Sequence, residues 1–453
     1  MNKKKKLMVL TLLIISPLFF YLSLIVPKIV EVKPRANEFP NSSFPKLNFD
    51  IKVNSFFLPF FDEIKENLLT SRTDFLEVNL EEMKVRAYRA GILKKEVPIL
   101  TKGDPRGWGG TAAGLYQVKS KYRNSFSVVS KVYMPWAIHF YGKYYLHGQP
   151  YYPGGKHLIS SVSGGCLRLN DQDAKSIYQL AVTGTPILVI DKSKDGYKYS
   201  EKTITRFPEV SAKSYLVADL DSGFVLAEKD SQISLPIASL TKLMTAVVVA
   251  ENIDLSKFIL VREEMLEAYG STEGLVAGET FNVVELFYPL LIESSNDAAE
   301  VLAGFLGREK TIRLMNEKAK SILMEQATFV GPSGYNPENK ASARDLFYLG
   351  RYILNNRPPI LEITKSKKVR TFGKISFELD NLWNKNIFVH DPDFIGGKTG
   401  YIKTSKYTAL FIFRFSDEDG NERRLAIILL GSDNLEVDAQ KIYQWLQKNY
   451  FQD

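Results

Sequence analysis

One short stretch constrains the fold more than any other, because it places a serine and a lysine on the same face of a predicted helix. Residues 236–246 are predicted to be a loop that enters a helix, with Ser239 at the helix start and Lys242 three residues later. A serine hydroxyl needs a base within hydrogen-bond reach, and a lysine kept neutral by burial and a nearby positive field is such a base. The helix N-terminus adds N–H groups that can stabilise an oxyanion.

A second stretch supplies another hydroxyl and an amide. Taken alone, Ser-x-x-Lys is a weak signal, since both residue types are common and a surface helix often starts this way. Ser294, Ser295 and Asn296 stand between two predicted apolar helices, 283–292 and 297–305. Their position predicts polar side chains at a turn between helices.

A third stretch brings a cation to the edge of a predicted strand. Lys398, Thr399 and Gly400 precede the strand-like segment 407–415. Glycine at a strand edge lets another peptide backbone approach closely. The three stretches together predict a serine-based site that handles a peptide.

Residues 204–453 resemble the D-alanyl-D-alanine carboxypeptidases, the low-molecular-weight penicillin-binding proteins, which carry closely similar motifs. The resemblance implies a serine β-lactamase-like transpeptidase domain, and the strand and helix order predicts a mixed α/β domain whose terminal strands share one sheet. One departure is the segment 403–406, which replaces the family's usual turn at the rim of the site. The resemblance implies three catalytic residues, Ser239, Lys242 and Ser294, four substrate-binding residues, Asn296, Lys398, Thr399 and Gly400, and Tyr401 as an oxyanion donor.

An earlier part of the chain has the pattern of an all-β domain. Short alternating segments recur with glycine-rich turns between them, at 76–80, 84–89, 96–100, 114–118 and 136–140. Many short strands of this kind predict a β-sandwich or barrel-like domain.

This β-rich region contains the chain's single cysteine, Cys166. A thiolate is the reactive form of cysteine, and an imidazole such as that of His147 can take its proton. The backbone N–H of Gly165 is a candidate oxyanion donor, and the Arg168 guanidinium can bind a carboxylate. For a lone cysteine and histidine, a buried structural cysteine with an unrelated histidine is the alternative.

Residues 74–191 as a whole resemble the catalytic domain of L,D-transpeptidases. The matching pieces include 111–116, His147-Gly148, 163–168 and 184–187. The resemblance implies Cys166 as the nucleophile and His147 as the base. The family usually has histidine where Gly164 stands, so a peptidoglycan-binding module with a weakened site remains the alternative.

The N-terminus is predicted to hold the chain at a membrane. Lys3 to Lys6 precede the apolar segment 7–26, which is long enough to span a bilayer as a signal anchor. A cleaved signal peptide is the alternative. Residues 27–73 are predicted to be a linker, in which residues 56–69 are expected to form a short amphipathic helix. The chain is thus expected to be a single-pass protein of the bacterial cell membrane, with its catalytic domains on the extracytoplasmic, periplasmic or cell-wall, side.

Composition narrows the set of partners. A chain of 453 residues is expected to be multidomain, and its net charge of +8 includes the N-terminal lysines. No Lys/Arg stripe with interleaved aromatics indicates nucleic acid, and no Cys/His spacing indicates a metal; no cofactor is expected. The expected partners are peptidoglycan stem peptides, β-lactam inhibitors and, through the N-terminal helix, the cytoplasmic membrane.

The two resemblances predict a bifunctional peptidoglycan-modifying enzyme. A serine D-Ala-D-Ala carboxypeptidase would trim stem pentapeptides, and a cysteine L,D-transpeptidase would form cross-links. One alternative is a carboxypeptidase with a weak, peptidoglycan-binding first domain. Another is a β-lactamase-like hydrolase; the sequence has no clear glutamate signature for rapid deacylation, and Glu279 and Glu293 are the two carboxylates left open for that role.

Overall fold

Most of the chain beyond its N-terminal segment is described by the computed structural model, which covers residues 60–192, 195–199, 205–266, 275–372, 381–417 and 419–451. The predicted membrane anchor, 7–26, and the linker as far as residue 59 lie outside these ranges. Within them, no helix is both long and apolar enough to cross a bilayer. Residues 51–453 form one compact unit, so both predicted catalytic domains belong to the same body.

The first part of this unit is built mainly from strands. Its elements are α1 (Phe61–Thr70), β1 (Phe75–Asn79), β2 (Lys84–Arg89), β3 (Ile92–Pro98), β4 (Gly114–Gln117), β5 (Ser120–Ser127), β6 (Val132–Tyr141), β7 (Tyr144–His147), β8 (Leu167–Arg168), α2 (Asp171–Leu180) and β9 (Pro186–Ile190). One sheet has the order β3-β2-β1-β9-β4, and a second has the order β5-β6-β7-β8. Two of the pairings, β1 with β9 and β7 with β8, are parallel.

Both sheets and α2 contribute to one hydrophobic core. Val78 and Val189 from the first sheet, Phe140 from the second and Ile177 from α2 are all fully buried in it. Two sheets around a shared core have the form of the predicted sandwich. Residues 61–70, which lie in the predicted linker, form α1, an amphipathic helix packed beside β9, as predicted for residues 56–69.

The second part alternates strands and helices. Its elements are β10 (Ser214–Asp219), β11 (Val225–Lys229), β12 (Leu235–Pro236), α3 (Thr241–Asn252), β13 (Phe258–Leu260), β14 (Thr280–Asn282), α4 (Asn296–Leu306), α5 (Arg308–Ser321), β15 (Lys340–Ala341), α6 (Ala343–Asn356), α7 (Pro358–Thr364), β16 (Phe394–Ile402), β17 (Lys406–Ser416), β18 (Glu422–Ser432) and α8 (Leu435–Leu446). The main sheet has the order β11-β10-β18-β17-β16. The antiparallel pairing of β10 with β18 confirms that strands from both ends of this domain share one sheet, and the domain is mixed α/β as predicted.

Helices cover both faces of this sheet. Gly350 of α6 lies against Leu410 of β17, whereas Ile442 of α8 packs in one cluster with Phe411. Successive strand residues point to opposite faces, so α6 and α8 lie on opposite sides. The helix α3, which follows Ser239, is buried on all sides: each of its residues from Thr241 to Glu251 is buried.

The predicted helix over residues 283–292 is confirmed only in its second half, since residues 283–286 form turns and residues 287–293 are helical. This apolar segment forms turns followed by a π-helical turn at Pro289–Glu293, which ends at Ser294 in a left-handed conformation with φ 67°. The side chain of Ser295 accepts a hydrogen bond from Ala298 N–H and caps α4. A π-turn is often found at functional sites, and here it sets the direction of the Ser294 hydroxyl.

Candidate active sites

Ser239 lies in a tight turn just ahead of α3 rather than in the helix itself. The 3₁₀ turn Ala238–Leu240 begins at an alanine with φ 47°, and a non-glycine residue in this region costs about 1 to 3 kcal/mol. Two glycines allow the neighbouring chain to approach the turn. A Cβ on Gly334 would lie 1.9 Å from Ala238 O, and a Cβ on Gly400 would lie 2.7 Å from Ser239 N. Both positions therefore require glycine.

The side-chain nitrogen of Lys242 lies within hydrogen-bond distance of three oxygens. Lys242 Nζ is 3.0 Å from Ser239 Oγ, 2.7 Å from Asn296 Oδ1 and 2.6 Å from Ser333 O. The amide and carbonyl oxygens can only accept a hydrogen bond. A neutral amine has two N–H donors and one lone pair, so it satisfies both acceptors and can still receive the proton of Ser239. The geometry therefore suits a lysine base.

The surroundings of Lys242 favour the neutral amine. Its side chain is fully buried. Burial lowers the pKa of Lys242 well below its ordinary value, and repulsion from Lys398 and Lys385 lowers it further. Burial and the two nearby cations thus favour the neutral amine, which is the state that general-base catalysis requires.

The edge strand β16 brings the third motif to the same turn. Lys398 is buried, and its Nζ donates a hydrogen bond to Thr399 O at 2.8 Å. Thr399 Oγ1 donates to Lys385 O at 3.4 Å. Because β16 is the last strand of its sheet, one of its edges is not paired with another strand, which is the arrangement to which a peptide strand can be added.

A groove joins the three motifs. Ser239, Ser294, Asn296, Thr399 and Tyr401 all line it. The Ser294 hydroxyl is buried and has no hydrogen-bond partner among the described residues, so it is available to a reacting group. Asn296 accepts a hydrogen bond from Lys242 and so holds the base; its role in orienting a substrate amide, and that of the Tyr401 N–H as an oxyanion donor, stay predictions.

The segment 403–406 closes the rim of this groove as a compact turn. Ser405 Oγ accepts a hydrogen bond from Ile402 N–H at 3.2 Å and donates one to Lys406 O at 2.7 Å. Lys406 pairs with Asp433 at 2.5 Å, while Lys403 faces the groove. The departure from the family's usual turn therefore adds a cation to the rim and leaves the motif residues in place.

The pKa of Lys398 predicts how the serine site responds to pH. Burial and the neighbouring Lys385 lower the pKa of Lys398 to about 7. As pH rises through this value the ammonium that would bind a substrate carboxylate is lost, so kcat/KM for a peptide with a free C-terminal carboxylate is expected to fall, by about tenfold per pH unit well above the pKa. The measurement is kcat/KM from about pH 6 to pH 9.

Lys385→Gln provides the control for this pH dependence. Removing the neighbouring charge is expected to raise the pKa of Lys398 and move the fall of kcat/KM to higher pH. A peptide with an amidated C-terminus should be a poor substrate at every pH. A kcat/KM that stays level or rises over the same range in the native protein would contradict the assignment of Lys398.

Cys166 lies beside the parallel strands β7 and β8. In this pairing, His147 lies opposite Arg168. Cys166 lies just ahead of β8 and precedes Arg168 by two residues, so by strand alternation we expect its side chain on the same face of the sheet as that of His147. The thiol donates a hydrogen bond to Lys143 O at 3.6 Å. The pairing of thiol and imidazole in the reaction stays a prediction.

His147 is held in one tautomer. Its ring is buried, and Nδ1 lies 2.7 Å from Gly148 O. A carbonyl can only accept, so Nδ1 carries the proton and Nε2 has the free lone pair. Burial lowers the pKa of His147 to about 4, and burial also raises the pKa of the Cys166 thiol. At neutral pH the pair therefore rests as imidazole and thiol.

The loop before Cys166 corrects one expectation. Gly165 N–H donates a hydrogen bond to Ser163 Oγ at 3.1 Å, and that hydroxyl donates to Cys166 O at 2.5 Å. The predicted oxyanion donor is therefore engaged within its own loop, and it can serve an oxyanion only if Ser163 releases it. Gly165 has φ 115°, and a Cβ there would lie 2.1 Å from the Tyr144 ring, so the loop requires glycine at this position.

Arg168 is buried, and it lines a pocket. Its Nη1 donates to Ser160 O at 3.2 Å, and its Nε has no hydrogen-bond partner among the described residues. Gln149 and His157 also line this pocket. The position leaves the guanidinium available to a carboxylate, which stays a prediction.

Three groups at these sites are missing from the sequence prediction. Lys385 enters the serine site from a segment without a motif, and its charge affects two other lysines. The carbonyl of Ser333 accepts a hydrogen bond from Lys242. In the sequence, only the next residue, Gly334, marks this turn, because its positive φ favours glycine. Lys143 holds the thiol through a backbone oxygen, which no side-chain pattern reveals.

Two family models match the chain in separate regions. Residues 201–434 match the model for D-alanyl-D-alanine carboxypeptidase, and residues 73–189 match that for the L,D-transpeptidase catalytic domain. The boundary between the two matches falls in the polar segment that follows β9. Each candidate site lies within one of the matched regions.

Individual relatives match the second region. A D-alanyl-D-alanine carboxypeptidase of Mycobacterium tuberculosis is 31% identical over 205 residues, which cover 44% of this chain and 70% of the relative. One of Escherichia coli is 29% identical over 265 residues, covering 54% of this chain and 63% of the relative, less than two thirds of its length. A crystal structure of a D-alanyl-D-alanine carboxypeptidase from M. tuberculosis aligns with a TM-score of 0.47 and 27% identity, over 55% of this chain and 95% of that one.

Proposed function

Since this chain belongs to the D-alanyl-D-alanine carboxypeptidase family and also carries a segment that matches the L,D-transpeptidase catalytic domain, we propose that it modifies peptidoglycan through two acyl-transfer sites. The observation that supports the first activity best is the 3.0 Å contact between Ser239 Oγ and a fully buried Lys242. The proposed first activity is a serine D-Ala-D-Ala carboxypeptidase that trims stem pentapeptides.

The serine reaction follows from the contacts. Lys242 Nζ takes the proton of Ser239 as Oγ attacks the carbonyl between the two D-alanines. The resulting oxyanion is stabilised by backbone N–H groups, those of Ser239 and Tyr401. The C–N bond then breaks, and the amine of the leaving D-alanine takes the proton, which reaches it from Lys242 or through Ser294. Water hydrolyses the ester and restores the serine.

Lys398 and the edge strand β16 supply substrate recognition. The Lys398 ammonium and the Thr399 hydroxyl meet the terminal carboxylate, while the stem peptide lies along the strand. Because Gly400 has no side chain, β16 can lie directly against the turn that contains Ser239. The substrate carbonyl is thereby placed at the nucleophile.

A β-lactamase is a weaker candidate for this site. Glu279 is exposed and accepts a hydrogen bond from Val276 N–H, and Glu293 accepts one from Trp383 N–H. Among the described residues, neither carboxylate contacts Ser239. Rapid hydrolysis of a β-lactam acyl-enzyme needs a base placed at the ester, so we expect a long-lived adduct on Ser239 instead.

The cysteine site supports a second activity, L,D-transpeptidation. Cys166 attacks the carbonyl of the L-centred residue of a tetrapeptide stem, and His147 Nε2 takes the thiol proton. The terminal D-alanine leaves with that proton, and an amine of a neighbouring stem then takes the acyl group. The orientation of the neutral His147 ring by Gly148 O supports this role.

The two reactions fit in sequence, because trimming a pentapeptide yields the tetrapeptide that the cysteine site uses as its acyl donor.

Segment 7–26 would hold both sites at the outer face of the bacterial cell membrane. Membrane fractionation of the full chain and of a variant that lacks residues 7–26 tests this location. Recovery of the shortened variant in the membrane pellet would contradict the anchor.

Muropeptide mass spectrometry tests both activities at once. Peptidoglycan is incubated with the native protein, with Ser239→Ala and with Cys166→Ala. We expect pentapeptides to persist with Ser239→Ala and L,D cross-links to be absent with Cys166→Ala. Cross-links that are unchanged in Cys166→Ala would reduce the first domain to a binding module, and pentapeptides that disappear in Ser239→Ala would refute the carboxypeptidase.

Gly164 allows the cysteine site to be strengthened. A Cβ at Gly164 would meet no atom within 4 Å, and Gly164 is not among the residues with positive φ, so the backbone there accepts a side chain without strain. Gly164→His places the imidazole that the family usually has beside the thiol, and we expect acylation of Cys166 to be faster by about tenfold. Carbapenem labelling of Cys166 measures the rate.

Gly164→Ala is the matched control for this variant, since it adds the Cβ without the imidazole. Its labelling rate should equal that of the native protein. Equal rates for all three proteins would show that the absence of histidine at this position does not limit the site.

A further inference from the structure

The two catalytic domains share a cluster of buried charges. Arg357, at the end of α6, and Glu251, near the end of α3, are fully buried, and Arg357 Nη2 lies 2.8 Å from Glu251 Oε1. Lys318 of α5 is also fully buried and lies 3.0 Å from Glu251 Oε2. All three residues belong to the carboxypeptidase domain. A buried ion group of this kind is retained only where its partners are held firmly, because an unpaired charge would be costly.

Tyrosines of the transpeptidase domain complete this cluster. Arg357 Nη2 donates a hydrogen bond to Tyr144 OH at 2.5 Å, and Arg357 Nη1 donates to Gly110 O at 2.9 Å. Lys318 Nζ donates to Tyr116 OH at 2.8 Å. The same guanidinium thus binds a carboxylate of one domain and a phenol and a carbonyl of the other.

Tyr144 connects the cluster to the cysteine site. Its ring packs so closely against Gly165, the residue before Cys166, that no Cβ would fit between them. The ring is fully buried, and the hydroxyl end is held by Arg357. Movement of the ring would therefore move the loop that carries the thiol.

Lys143 makes a second connection, one residue earlier in the chain. Its carbonyl oxygen accepts the hydrogen bond of the Cys166 thiol. Its Nζ donates to Ala250 O at 2.9 Å and to Ile253 O at 3.3 Å, carbonyls at the C-terminal end of α3. A cation at the C-terminal end of a helix is stabilised by the helix dipole, so the dipole of α3 favours the contact with Lys143.

We propose that Lys143 and Tyr144 position the Cys166 thiol and that the carboxypeptidase domain holds both of them in place. The transpeptidase site is thus completed by the neighbouring domain. The same helix serves both sites, since α3 carries Lys242 near its first turn and Glu251 near its last, about 14 Å apart along the axis.

This inference rests on the proposed transpeptidase activity, but thiol reactivity tests it without that activity. Cys166 is the only cysteine, so iodoacetamide reports on one site in the full chain. The charged and titratable groups near the thiol are Lys143, Arg168, Tyr144 and Tyr145, together with His147, the proposed base, which lies opposite Arg168. The readout is the alkylation rate of Cys166 as a function of pH.

Tyr144→Phe removes the hydroxyl that Arg357 binds and keeps the ring. The loop is expected to loosen and admit water, so the midpoint of the alkylation profile moves down toward that of an ordinary cysteine and the rate at neutral pH rises by about tenfold. Transpeptidation should fall, because the thiol is no longer held in position. Fluorescent penicillin labelling of Ser239 should be unchanged.

Tyr352→Phe is the matched control. Tyr352 OH donates to Glu251 in the same buried cluster, but the residue lies on α6, on the carboxypeptidase side. The Tyr352→Phe variant makes the same chemical change as Tyr144→Phe and should leave the alkylation profile of Cys166 as in the native protein. A Tyr144→Phe profile equal to the native one, or an equal shift in Tyr352→Phe, would overturn the proposal.

A second pair of variants serves if Tyr144→Phe does not fold. Lys143→Met removes the contact to α3, and Lys119→Met removes a different contact between the domains, the exposed pair with Glu317 at 2.8 Å. Loss of the nearby Lys143 charge would by itself slow alkylation, so a faster rate in Lys143→Met and no change in Lys119→Met would show release of the thiol. A slower rate in Lys143→Met would refute the inference.

The outcomes separate the two proposals. Absence of L,D cross-links with the native protein would end the proposed transpeptidase function, while the alkylation profiles would still report on the positioning of the thiol. Cross-linking by the native protein together with unaltered profiles in Tyr144→Phe and Lys143→Met would end the positioning proposal alone.

Discussion

Lys242→Met is expected to abolish acylation of Ser239, with a rate at least about 10³-fold lower than that of the native protein. Methionine has nearly the length of lysine and suits a fully buried position, but it has no lone pair of comparable basicity. The Ser239 proton would have no acceptor at 3.0 Å. The rate of covalent labelling by a fluorescent penicillin, followed on the intact protein by mass spectrometry, measures the effect.

Two further proteins complete this experiment. Ser239→Ala should show no adduct at all, which identifies the labelled residue. Lys340→Met, which removes a surface lysine of the same domain paired with Glu338, should label at the native rate. Labelling of a folded Lys242→Met at a rate within about threefold of the native one would exclude Lys242 as the base and leave Ser294 as the candidate.

His147→Gln is expected to reduce acylation of Cys166 by about 10³-fold, the second large effect. Glutamine can keep a hydrogen bond to Gly148 O but cannot accept a proton at neutral pH. Because burial holds the pKa of His147 at about 4 and raises that of Cys166, the native pair rests uncharged. The native acylation rate should therefore be level between about pH 5 and pH 8 and fall only in more acidic solution.

Carbapenem labelling of Cys166 over this pH range measures both the rate and its profile. His390→Gln, a histidine of the other domain, is the control and should leave the rate unchanged. A native profile that rises or falls tenfold across the same range would mean that one member of the pair titrates there. An unaffected rate in His147→Gln would leave the thiol without an identified base.

The Ser-x-x-Lys spacing was sufficient to predict the contact between Ser239 and Lys242. Ser239 and Lys242 lie three residues apart, and this spacing alone brings their side chains together at the start of a helix. The alternating segments before residue 140 likewise predicted the strands β1, β2, β4 and β6, because a half-buried strand has a period of two. In these places the local pattern and the tertiary structure agree.

The residue pattern did not predict the structure where the backbone is irregular, because a turn has no repeating spacing of residues. Residues 283–292 are as apolar as a helix, yet they end in a π-turn that places Ser294 at φ 67°. The N–H of Gly165 looked free in sequence but is bound by Ser163 Oγ, a contact that depends on how the loop closes. Such contacts arise from turns, and the residue types in a turn do not determine its hydrogen bonds.

The sequence by itself therefore determined the candidate nucleophiles, the motifs that contain them and the order of the two family-matched regions, because each depends on residue type and short-range spacing. Only the tertiary structure decided which charged groups surround the catalytic candidates and which residues hold them in position. Lys385 lies near Lys242 and Lys398, and Arg357 meets Tyr144 across more than 200 residues of chain. Burial and long-range contact set the pKa of a lysine and the position of a thiol, and neither is encoded in local spacing.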